Sequence, residues 1–153
     1  MADTIYQNVN FHFSVLFDLP EARSVDVRFQ SVTGLDSTID TETIREGGEN
    51  RFEHVVPTRR KYGPLILKRG LLGPDSSGVT TWLKETFDEE KYRTLPTVHI
   101  YLLGETHKRI LHWTINNVWP RSWKIGELNA ERGEVLLETL ELNYNRLIFA
   151  EKG

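Results

Sequence analysis

Thr97-Val-His-Ile-Tyr-Leu-Leu103, then Gly104 to Lys108, then Arg109-Ile-Leu-His-Trp-Thr-Ile-Asn-Asn-Val118: this stretch decides the fold class. Both runs are rich in β-branched and aromatic residues, which suit a pleated, half-buried surface. The short gap that opens on Gly104 reads as a hairpin loop between two antiparallel strands. Period-two patterning of this kind continues through most of the chain. Pro64-Leu-Ile-Leu-Lys-Arg69 is a short apolar run suited to a buried strand. Before it, Thr38 to Arg45 and Arg51 to Val56 flank Glu46-Gly-Gly-Glu-Asn50, a hairpin whose loop needs positive φ.

Near the N-terminus, Phe11, Phe13, Val15 and Phe17 occupy one face and His12, Ser14, Leu16 and Asp18 the other, until Asp18-Leu-Pro20 breaks the run. Val25, Val27 and Phe29 alternate with Asp26, Arg28 and Gln30 and predict a further strand ending before Gly34. The last run, Glu134 to Phe149, fits one long bent strand or two strands broken near Asn143 to Asn145. A helical spacing of Leu136, Leu140, Tyr144 and Leu147 competes with both, and the strand reading is preferred. One segment is clearly helical. Asp75, Ser76 and Ser77 are candidate N-caps, and Val79, Trp82, Leu83 and Phe87 then form one apolar stripe that Pro96 closes off. The expected organisation is seven or eight strands and one helix, spaced as in a barrel or sandwich, in a single domain spanning 1–153.

Composition narrows the function classes. The chain has 153 residues and no cysteine, which excludes disulfide frameworks, Cys-ligated zinc, iron–sulfur clusters and thiol nucleophiles. A domain of this length buries enough surface to need no covalent or metal staple. Its net charge of −3 argues against a generally basic nucleic-acid binder. The start, Met-Ala-Asp-Thr-Ile-Tyr-Gln, lacks a basic segment followed by an apolar one, so no Sec-type leader is expected. Apolar runs are too short for a transmembrane helix. The expectation is a soluble, cytoplasmic domain.

No catalytic or cofactor motif emerges. His12, His54, His99, His107 and His112 show neither HxH nor HExxH spacing, and a hydrogen-bonded strand position accounts for three of them. Gly73-Pro-Asp-Ser-Ser-Gly78 is not GxSxG and opens a helix, where capping explains its serines. Phosphate-cradling glycine motifs are absent, and Glu89-Glu90 reads as solvated. The expectation is no enzyme, no cofactor and no metal. Charge, however, is segregated. From Pro57 to Arg69 there are five cations, Arg59, Arg60, Lys61, Lys68 and Arg69, and no acid. Asp40 to Glu53 and Glu131 to Glu141 each carry a net −3. The basic segment fits three readings: a solvated loop, a nucleic-acid patch with Tyr62 as stacking platform, or one half of a self-complementary interface.

Several strings in order add a resemblance: Phe29-Gln-Ser-Val-Thr-Gly-Leu35, Ile44-Arg-Glu-Gly-Gly-Glu-Asn-Arg-Phe52, Lys61-Tyr62-Gly-Pro-Leu-Ile-Leu-Lys-Arg-Gly-Leu71, a helix bearing Trp82, Trp113 to Trp123, and Leu137-Glu-Thr-Leu-Glu-Leu-Asn-Tyr144. Together they resemble the tail-tube protein family of contractile phage tails and phage-tail-like contractile injection systems, over roughly Phe11 to Phe149. The resemblance implies a mainly β fold: a small antiparallel β-barrel with one flanking α-helix and an extended hairpin loop. It also implies homohexameric rings stacked head to tail into a hollow tube, as in type VI secretion tubes. Implied partners are a sheath around the tube, baseplate and spike proteins at one end, a tail terminator at the other and cargo in the lumen. Assembly in the producer's cytoplasm follows, with no membrane anchor and no specific nucleic-acid binding.

On that reading the subunit-interface residues are Arg45, Glu46, Gly47, Gly48 and Asn50 of the hairpin, the cations Arg59, Arg60, Lys61, Lys68 and Arg69, and Trp123. Trp82, Trp113 and Trp119 are expected in packing. Two alternatives stay open. Asn116 to Arg132 and Pro57 to Lys61 equally suit a tube-initiating baseplate adaptor ring joining spike to tube. More distantly, Arg59 to Arg69 suits a monomeric β-barrel module for an anionic polymer.

Overall fold

The hairpin chosen from sequence is the centre of the sheet. In a computed structural model, which describes residues 12–45, 53–104, 106, 108–131 and 136–151, β6 (Leu95–Leu103) pairs antiparallel with β7 (Arg109–Ile125). Val98 lies across from Ile115 and Ile100 from Trp113. Val98, Ile100 and Ile115 are at most 2% exposed, so this face is the core. β1 (His12–Phe17) adds Val15 and Phe17 to it from the far side of β6.

β7 is long and changes partners along its length. Its first half also pairs with β9 (Arg146–Glu151), and its second half pairs with β8 (Leu137–Asn143). The register runs on unchanged across the break between β8 and β9: Asn116 faces Arg146, and Trp119 faces Asn143. The Asn145 N–H donates to the Asn116 carbonyl at 2.9 Å, which continues the ladder through the gap. The C-terminal run is therefore two strands in continuous register along β7. The break sits opposite Asn117, whose φ of 55° is left-handed, a conformation that Asn tolerates better than most residues. At this bend β7 leaves β6, and the sheet turns towards β8, β5 (Leu65–Gly70) and the short β2 (Ser31–Thr33). Among the described residues seven strands form this sheet, which is mainly antiparallel β as expected and is not closed into a complete barrel: β1 and β2 remain its two ends.

The helix α1 (Gly78–Phe87) packs on the core face of the sheet. Ser77 caps it, accepting the Thr80 N–H at 3.1 Å. Val79, Trp82 and Leu83 are fully buried, and the Trp82 ring meets Phe17 edge-on at 6.2 Å. The Trp82 Nε1–H donates to the Arg93 carbonyl at 2.8 Å, so the indole is buried without an orphaned donor. Phe87, at the end of the expected stripe, is 40% exposed.

The remaining strands, β3 (Ser37–Arg45) and β4 (Glu53–Tyr62), form a separate two-stranded ribbon. Among the described residues there are nine strands, where seven or eight were expected. Two further expectations are corrected. Pro57 to Lys61 is strand, not loop, because its backbone is paired with β3. Of the run expected to end as strand before Gly34, Ser31–Thr33 is strand, but Ser24–Val27 is a single 3-10 turn. Asp26 explains the difference. Its N–H donates to the Arg23 carbonyl at 2.9 Å while its carboxylate accepts the Arg23 N–H at 2.7 Å. Such local side-chain bonds favour a turn over an extended ladder.

Candidate functional site

The ten-residue β4 carries most of the basic segment. Arg59, Arg60 and Lys61 are exposed, and so are the apolar Ile39, Ile44 and Val55 on the same ribbon. The register slips between Ile39 and Thr41. At that slip Asp40 projects between Arg59, at 4.0 Å, and Lys61, at 3.5 Å, while the Thr58 hydroxyl donates to the Asp40 carbonyl at 3.0 Å. Arg60 lies across from Ile39 on the same face. Among the described residues its guanidinium makes no ion pair. Arg45 is the last residue of β3 and lies across from Glu53. Glu46, Gly47, Gly48 and Asn50 lie outside the described residues.

The two remaining cations of the segment part company on β5. Lys68 is exposed, whereas Arg69 is 3% exposed. The assignment of Arg69 to a cationic outer surface is thereby corrected: its guanidinium is spent inside the subunit. Nη1 donates to Asp26 Oδ1 at 3.0 Å, Nη2 to the hydroxyls of Ser77 at 2.8 Å and Thr80 at 3.0 Å, and Nε to Glu138 Oε2 at 3.4 Å. The plane also sits over the Phe29 ring at 5.1 Å. Asp26 closes the network by accepting from Gly78 N–H at 2.9 Å and from the Ser77 hydroxyl. Burial pushes the Asp26 carboxyl pKa up, but the hydrogen bonds from Ser77, Arg23, Arg69 and Gly78 outweigh it and hold the value below the ordinary range. One guanidinium thus ties the 3-10 turn, β5, α1 and β8 together. Period two contains the signal for this, since Arg69 follows Leu65 and Leu67 on the inward face.

Trp123 also turns inward. It is half-buried, its Nε1–H donates to Glu138 Oε1 at 2.9 Å, and its ring stacks on Phe87 at 6.4 Å. Trp119, expected in packing, is instead 44% exposed. With Phe87, Tyr92 and Pro120 it lines an open groove at the C-terminal end of α1, which Glu90 and Arg93 border.

The histidines form no metal cluster among the described residues. On the face of the sheet away from the core, His99 Nδ1 meets His112 Nε2 at 2.9 Å, and the Thr114 hydroxyl lies 3.2 and 3.0 Å from those two atoms. Arg109 covers the neighbouring Tyr101 ring at 3.9 Å. Burial, then the neighbouring His99 ring and the Arg109 guanidinium, lower the His112 pKa, because each disfavours a positive charge at that position. Among the described residues no helix is long and apolar enough to cross a membrane.

Solved structures share this arrangement. A chain of the anti-feeding prophage (AFP) baseplate, solved by cryo-electron microscopy with 6-fold symmetry, is 29% identical with a TM-score of 0.82; the match covers 98% of this chain and 97% of that one. A chain of the sheath–tube complex of the PVC extracellular contractile injection system, in its extended state, is 19% identical at TM-score 0.74, over 91% and 88%. Hcp1 from Salmonella typhimurium shares the fold at 13% identity and TM-score 0.52, over 92% and 93%. No curated protein sequence matches. The sequence profile of the T4-like virus tail tube protein gp19 matches residues 9–148, and the similar proteins are structural, not enzymes. By that match over most of its length, the chain belongs to the T4-like tail tube protein gp19 family.

Proposed function

We propose that this chain is a structural subunit of the inner tube of a contractile tail or injection system, forming six-membered rings that stack head to tail around an open lumen. The family match over residues 9–148 carries the reading. The surface is consistent with it. Among the described residues β1, β2 and β9 each pair on one side only, and such edges need a neighbour or protection. The ribbon adds exposed apolar and cationic side chains of the kind that set register between identical copies. The sheath, the baseplate and spike, and the tail terminator are the partners of such a tube, within a phage tail or tail-like particle built in the producing cell.

A second reading has its own observation. The chain is 29% identical to a baseplate chain against 19% to one from a sheath–tube complex. That gradient favours a ring at the baseplate end, the adaptor joining spike to tube. Negative-stain microscopy of the purified protein tests both. Six-fold rings with an open centre are expected; continuous tubes mark the main tube, and rings that stay single mark the adaptor. A protein that remains monomeric at high concentration would refute both readings.

A further inference from the structure

Two surfaces of this chain each place exposed apolar side chains beside charged ones, Arg60 on the ribbon and Asp88 to Glu90 after α1, and these charges are opposite in sign. On the ribbon, Ile39 is 57% exposed directly across from Arg60, whose guanidinium makes no ion pair among the described residues. At the end of α1, the groove has an apolar floor of Phe87, Trp119 and Pro120, with Phe87 40% and Trp119 44% exposed. Asp88, Glu89 and Glu90 stand exposed beside that floor. They follow the C-terminus of a ten-residue helix, the end at which the backbone itself carries partial negative charge. Of the nearby cations, Arg93 is taken by Glu21 at 2.8 Å and Glu85 at 3.4 Å.

The groove is also held in shape. Glu90 has a left-handed φ of 55°, and the Lys91 N–H donates to the Glu85 carbonyl at 2.9 Å, six residues back. That bond closes the turn that follows the Asp88 cap and holds the carboxylates against the end of the helix. A rigid acidic turn needs no reordering on binding, which lowers the cost of association.

We propose that the groove at the end of α1 receives the β3–β4 ribbon of a second copy of this chain. Ile39 enters between Phe87 and Trp119. Arg60 stacks on their faces and meets the Asp88 to Glu90 turn, a position in which guanidinium gains both charge and ring contacts. Arg59 and Lys61 remain with Asp40 and border the contact. The proposal rests on the self-assembling reading above and adds the surface that the ribbon grips.

Two experiments test it, with the wild-type chain imaged in parallel as the control for ring assembly itself. The chain has no native cysteine, so Arg60→Cys and Tyr92→Cys in one protein give the only thiols. A short bismaleimide added to assembled protein should produce a ladder of covalent oligomers, and either single variant should not. Separately, Arg60→Glu and Glu90→Arg should each raise the concentration needed for assembly about tenfold, and the double variant should restore it to within about threefold. Wild-type rings with no ladder and no restoration would overturn the docking site while leaving the ring reading intact. A wild-type chain that never assembles would overturn both.

Discussion

Arg60 and Arg69 belong to one cationic segment yet meet opposite environments. Arg69 is buried with its charge answered by Asp26 and Glu138, and further hydrogen bonds come from Ser77 and Thr80. Arg60 sits on a two-stranded ribbon in solvent, beside an exposed isoleucine. Buried charge is tolerated only when the protein replaces the lost water, and the Arg69 network does so within one subunit. Among the described residues the Arg60 guanidinium has no such carboxylate and stays in water. One region thus stabilises the fold from within, and the other leaves a cation and an apolar side chain together in solvent.

The strongest way to break this comparison is to remove the inner guanidinium. Arg69→Met would leave the Asp26 and Glu138 carboxylates buried without their cation, and a loss of about 3–5 kcal/mol is expected in denaturant unfolding. A loss under about 1 kcal/mol would show that the network contributes little. Acid sharpens the same contrast. Because the folded pKa of Asp26 lies below its ordinary value, the unfolded chain binds that proton more readily. Its contribution is therefore complete above about pH 4 and is lost as pH falls through the folded value. Stability measured from pH 5 to pH 2 should fall more steeply for the wild type than for Asp26→Asn. Equal slopes would dissociate Asp26 from the network. The smallest effect belongs to the ribbon: Asp40→Ala, which frees Arg59 and Lys61, should change unfolding free energy by less than about 1 kcal/mol, since both pairs are exposed.

Much of this was legible in the residues. Thr97 to Leu103 and Arg109 to Val118 pair as their alternation implies, because one face of each is buried and a one-residue slip would expose it. The inward turn of Arg69 is visible from its spacing to Leu65 and Leu67, although its charge argues the other way. Its partners are not visible. Asp26 and Glu138 come from distant parts of the chain, and only the fold brings them together. The same hidden partners explain why Val25, Val27 and Phe29 mislead: alternation there comes from a turn locked by Asp26, not from a pleat. Trp119 and Trp123 exchange their expected roles for a similar reason. The slip between Pro120 and Ser122 reverses which way the side chains of β7 point, and no local pattern announces it.

The bend shared by β7 and the β8–β9 arm has a mechanical consequence. No loop intervenes at this corner, because the register on both strands continues across it and Asn145 bonds to Asn116 within it. A force applied along one half of the sheet is passed to the other through backbone hydrogen bonds loaded in parallel. The corner is therefore two chains wide, and turning it means moving β7 and its partner strand together instead of rotating one chain alone.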